Sequence, residues 1–110
     1  MTTKSSKIAA PDDVAPVVVG GTRYEALHWG KSLGLAQNGG HVAAIDTASG
    51  ATLWTAEVYR VDYRPGMEAD KQDTFIVDLQ PVDGGGALSV TDDRGRRWRL
   101  DIATRQGRPL

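Results

Sequence analysis

Thirteen glycines divide this 110-residue chain into short segments, and that punctuation limits what it can fold into. No segment sustains the 3.6-residue apolar period of a long helix, whereas several alternate with a period of two. The clearest is the run from Arg97 to Ile102, where Trp98, Leu100 and Ile102 alternate with Arg97, Arg99 and Asp101. Tyr24 and Ala26 alternate with Arg23 and Glu25, and Leu88 and Val90 with Ser89 and Thr91. Phe75, Val77 and Leu79 alternate with Thr74, Asp78 and Gln80, which assigns Ile76 to the polar face. Val17-Val18-Val19 forms a short apolar strand ahead of them.

Turn residues separate these runs. Gly20-Gly21 suits a two-residue hairpin. Asn38-Gly39, Pro65-Gly66 and Asp92-Asp93-Arg94-Gly95 mark further reversals. About seven strands, mostly joined by short turns, predict an all-β chain. It is a small antiparallel meander, arranged as a sandwich, a twisted sheet or a partly open barrel. Residues 15–110 make a single β domain. Residues 1–14 are polar and aperiodic and are expected to form a flexible N-terminal arm, and the tail beyond Thr104 is polar again.

The run from His41 to Trp54 reads as strand, tight turn and strand, with the second strand expected to extend from Ala51 to Val61. Asp46 can accept hydrogen bonds from N–H groups in the turn, and Gly50 can take a positive φ without steric cost. Trp54 is expected in the core. Ala44, Asp46, Gly50 and Trp54, with Ser49 in place of Thr and Ala51 in place of Lys, resemble the tryptophan-docking repeat of quinoprotein-like β-propellers, Ala-x-Asp-x-x-Thr-Gly-Lys-x-x-Trp. The resemblance covers about a tenth of the chain. It implies a blade-like hairpin whose tryptophan docks near a neighbouring turn, and it implies no quinone cofactor. Leu88 to Ile102, with Asp92, Gly95 and Trp98, looks similar, but both its spacings are one residue shorter. A closed propeller takes four to eight four-stranded blades. The chain is expected to hold fewer than two, too short for a complete propeller.

Net charge is −1, so no long-range field draws the chain to nucleic acid or an anionic membrane. Cysteine is absent, which removes disulfides, thiol catalysis and thiolate metal sites. No segment is apolar for long enough to span a bilayer, and Ile8-Ala9-Ala10 before Pro11 is too short for a signal peptide. A cytoplasmic location is expected.

Catalytic patterns fail on their spacing. Gly30-Lys31-Ser32 resembles the end of a phosphate-binding loop, but Glu25 stands where that loop needs glycine, and Leu33-Gly34-Leu35 replaces the helix. No serine or threonine near a histidine sits in a nucleophile elbow. Glu57 and Asp78 could face each other across a sheet, as any acid-rich β protein allows. Arg94, Arg96, Arg97 and Arg99 surround Trp98, yet Asp92, Asp93 and Asp101 lie beside them, and ion pairs on a solvated face account for the cluster. His28 and His41, with an acid such as Asp46, are the weak candidates for a metal.

The long glycine-rich connection between His28 and His41 is the remaining candidate. Tyr24, Trp29, Lys31, Gln37 and Asn38 are its ligand- or partner-binding candidates. The alternative is that Trp29 and the leucines simply cap the core. The sequence therefore reads as a non-enzymatic β-sheet module for protein–protein interaction or self-association through a sheet edge, with Val17-Val18-Val19 the best candidate for self-pairing, or through the Trp29 loop. It needs no cofactor, nucleic acid or membrane. The alternative is a small-molecule or metal-binding protein using residues 28–41.

Overall fold

Alternating apolar residues can bury one face of a pleated strand, so every period-two run in the sequence becomes a strand. The computed structural model describes Pro11 and residues 13–66 and 72–110. Among these, eight strands follow in chain order: β1 (Val17–Val19), β2 (Thr22–Leu27), β3 (His41–Asp46), β4 (Thr52–Glu57), β5 (Ile76–Val82), β6 (Ala87–Asp92), β7 (Arg97–Asp101) and β8 (Gln106–Pro109). They form two four-stranded antiparallel meanders, in the orders β1-β2-β3-β4 and β5-β6-β7-β8. Most of the expected arm, residues 1–10 and 12, lies outside the described residues, while Val14 packs against the core.

One apolar cluster joins the two sheets. Tyr24, Val42, Ala44 and Ala56 of the first meet Ile76, Leu79, Leu88, Val90 and Leu100 of the second. Val58 and Tyr59, just beyond β4, complete the cluster. Tyr59 stacks on Trp98 at 5.1 Å and donates its hydroxyl to the Thr74 carbonyl at 2.7 Å.

Four sequence expectations need correcting. Gln106–Pro109 is a strand rather than a plain polar tail, so there are eight strands and two complete four-stranded sheets. The strand from Thr52 ends at Glu57, well short of Val61. Ile76 is fully buried, whereas Val77 is 42% exposed, the reverse of the expected alternation. The cause is a register shift between Ile76 and Asp78, which leaves Val77 as an extra residue opposite β6 and changes the parity of the strand. Finally, Trp54 is only half-buried, tilted against Tyr24 at 6.0 Å with the Arg105 guanidinium 5.0 Å from its ring centre.

The two sheets also repeat one turn chemistry. In the first, the Asp46 carbonyl accepts the Gly50 N–H at 2.7 Å, and Gly50 has φ +77°. The Asp46 carboxylate takes the Ser49 N–H at 3.1 Å and its hydroxyl at 2.6 Å. In the second, the Asp101 carbonyl accepts the Arg105 N–H at 2.7 Å, and Arg105 has φ +60°. Each aspartate ends the third strand of its sheet. The structural counterpart of the His41–Trp54 hairpin is therefore β7–β8, and not the hairpin containing Asp92 and Trp98.

Candidate functional site

The connection from His28 to Gly40 holds itself in place. Gly30 N–H donates to the Asn38 carbonyl at 3.0 Å, and Leu35 N–H to that of Gly30 at 2.9 Å. Gln37 is buried, and its amide nitrogen donates to the carbonyls of Gly39 at 2.9 Å and Tyr59 at 2.8 Å. Its side-chain oxygen accepts the Val61 N–H at 2.8 Å. Only glycine fits at position 39, because a Cβ there would stand 2.2 Å from the Thr74 carbonyl oxygen. Loop 28–41 is thus fastened to residues 58–61 and to Thr74 by backbone contact and by Gln37.

The other residues named from sequence fall into distinct roles. Tyr24 is buried in the core. Asn38 accepts the Lys31 N–H at 3.2 Å and donates to Asp73 Oδ2 at 3.1 Å. Asp73 Oδ1 accepts the Tyr63 hydroxyl at 2.5 Å, and Lys31 Nζ lies 4.2 Å from the centre of the Tyr63 ring. Desolvation, with the Asp73 hydrogen bond, pushes the Tyr63 phenol up to about 12. Trp29 and His28 both meet Phe75 edge-on, at 5.8 Å and 5.6 Å. Trp29 remains 49% exposed and Leu33 64%.

The structure brings Lys31, Asn38, Tyr63 and Asp73 together, a grouping the sequence did not show. It does not gather the histidines with Asp46. His41 and Asp46 open and close the same six-residue strand, about 17 Å apart at a strand's rise per residue. Among the described residues no three His, Asp or Glu side chains form a metal-binding group.

Next to this corner lies a cleft of about 400 Å³ that sequence reasoning missed. Arg60, Asp62 and Arg64 line it from one segment, and Arg94 and Arg96 from the β6–β7 turn. Three of these arginines are oriented through Nε. Arg60 Nε meets Glu57 at 3.2 Å, Arg94 Nε donates to Thr74 Oγ1 at 3.1 Å, and Arg96 Nε to Asp92 Oδ2 at 3.0 Å. The available signal was the break in alternation: Arg94 and Arg96 belong to a turn, whereas Arg97 and Arg99 point outward from β7. There Arg97 donates to Ser89 Oγ at 3.0 Å and Arg99 to Asp83 Oδ2 at 2.5 Å.

Asp92 anchors the turn. Its carboxylate is buried and accepts the N–H groups of Arg94 and Arg96, each at 2.9 Å. It also accepts Arg96 Nε and the Trp98 indole N–H, each at 3.0 Å. Desolvation pushes its pKa up, but the Trp98 bond and those from Arg96 and Arg94 together hold it below the usual carboxylate range. At His41 desolvation dominates and lowers the imidazole below 6.5, against the Gln37 carbonyl and the Glu57 charge.

Both shifts destabilise the fold in acid. Unfolded His41 takes up a proton below about pH 6.5 that the folded chain resists, so stability falls from there downward. The Asp92 contribution is intact above about pH 4 and is lost as pH drops through its lower folded value. Unfolding free energies measured by denaturant titration should decline in these two stages. His41→Gln should remove the first stage, and a first stage unchanged in that variant would contradict the assignment.

No protein-family model matches the chain, and no curated protein matches it in sequence. Among the described residues no helix is long and apolar enough to cross a membrane.

Proposed function

We propose that the chain is a non-enzymatic β-sheet module that associates with a second copy of itself through the Thr52–Thr55 part of the β4 edge, a strand that also contacts β8 of its own chain. The observation that supports this reading is where its apolar side chains remain exposed. Leu53 on β4 is 54% exposed and Val18 on β1 is 59% exposed, and these are the two edge strands of one sheet. Protected edges carry lysine, proline or inward charge. β1 contains no charge or proline and β4 only Glu57 at its end, whereas β5 contains Asp78 and Pro81, and β8 contains Arg108 and Pro109. β1 is only three residues long and follows Pro16, which lacks a donor. The longer edge, with Thr52, Leu53 and Thr55 exposed, can pair antiparallel with its own copy about a two-fold axis.

Sedimentation equilibrium tests this directly. The wild type should dimerise in the micromolar range, Leu53→Lys and Thr55→Lys should weaken the dimer by at least about tenfold, and Val18→Lys should not. A wild type that stays monomeric to high micromolar concentration would remove self-association. A second surface is favoured by Trp29 and Leu33, an exposed apolar pair on a rigidly held loop, which suits a different protein partner. Trp29→Ala should leave the β4 dimer intact.

A further inference from the structure

The geometry points to a second binding activity, independent of the sheet edge: the arginine-lined cleft takes a small-molecule phosphate monoester. Four guanidinium groups from two separate segments, 60–64 and 94–96, converge on one cavity in a chain whose net charge is −1. Against them the described lining sets one carboxylate, Asp62, and Glu57 and Asp92 from outside it pair with Arg60 and Arg96, so two of the four charges are already paired. Such a concentration of like charge focuses a positive field in the cleft and attracts an anion.

The way the arginines are held identifies the anion more closely. Glu57, Thr74 and Asp92 each engage an Nε atom, fixing the direction of the planar group. Among the described residues the terminal nitrogens of Arg60, Arg94 and Arg96 make no hydrogen bond, the Arg96 group lying over the Trp98 ring at 5.7 Å, and the Arg64 side chain makes no ion pair. Several guanidinium forks can donate more hydrogen bonds than the two oxygens of one carboxylate accept comfortably, whereas a phosphate monoester presents three terminal oxygens. The cavity volume falls in the range of small-molecule sites. The Thr74 hydroxyl, which accepts from Arg94, lines the same cleft.

The test is NMR observation of the arginine Nε–H signals during titration with phenyl phosphate, inorganic phosphate and acetate at matched ionic strength. Phenyl phosphate should give saturable shifts at Arg94 and Arg96, with acetate weaker by at least about tenfold. Arg60→Gln combined with Arg64→Gln should weaken phenyl phosphate binding by at least about tenfold. Both side chains are exposed, so thermal stability should hold, and its preservation separates lost binding from lost fold. Equal weak shifts for all three anions, or an affinity unchanged in the double variant, would overturn the proposal. Saturation by inorganic phosphate without phenyl phosphate would overturn the ester and leave a site for the free ion. The oligomeric state does not enter this readout, so failure here and failure of the β4 dimer are distinguishable.

Discussion

Asp92→Ala is expected to destabilise the fold by about 2–4 kcal/mol, because it leaves several partly buried donors without an acceptor at about 1–3 kcal/mol for the most buried of them. The carboxylate accepts four hydrogen bonds, from two backbone N–H groups, one guanidinium and the Trp98 indole. Without it the indole N–H, half-buried beneath Arg96, loses its acceptor, and the 92–96 turn loses the group that shapes it. Asp92→Asn keeps the shape but turns an amide toward donors, so it should fall between wild type and alanine. Asp46→Ala is the control: the turn chemistry is related, but the carboxylate is exposed to solvent, and the cost should be far smaller. Guanidinium unfolding of the three variants measures the order. Equal costs at Asp92 and Asp46 would show that burial of the carboxylate contributes nothing.

Gly107→Val should cost about 3 kcal/mol or more and release β8 from its place. A Cβ at Gly107 would lie 1.9 Å from the Val58 carbonyl oxygen and 2.6 Å from the Val58 Cα, and these are backbone atoms that cannot turn aside. This approach is where the last strand of the second sheet meets the end of the first, near the Arg105 contact with Trp54. Gly50→Ala is the informative contrast. Nothing lies within 4 Å of a Cβ there, but φ is +77°. Its cost should be the left-handed penalty alone, about 1–2 kcal/mol. Amide hydrogen exchange should show β8 opening selectively in Gly107→Val. Uniform protection at wild-type levels would mean that the two backbones separate at little cost.

The chain's local chemistry settled the elements. Thr22–Leu27 and Arg97–Asp101 are strands where the alternation placed them, and Val17–Val19 is one where its β-branched apolar run did, because both signals are properties of neighbouring residues. The Asp46 turn with Gly50 at positive φ was equally legible, since donors, acceptor and glycine lie within five residues. The candidate loop was visible as a glycine-rich interruption, although the sequence did not show that Gln37 and Tyr24 are buried inside the chain.

Pairing between distant segments decided the rest. Whether Ile76 or Val77 points inward depends on an extra residue opposite β6, and no window around Ile76 contains that partner. Gln106–Pro109 has little strand character of its own and becomes a strand through its ladder with β7 and the fit of Gly107 against Val58. The cleft is the furthest from local information. Arg60 and Arg64 stand some thirty residues from Arg94 and Arg96, and only the packing of the two sheets brings their charges to one cavity. Strand and turn preferences act over a few residues, while register, burial and converging charge depend on contacts that the folded chain alone creates.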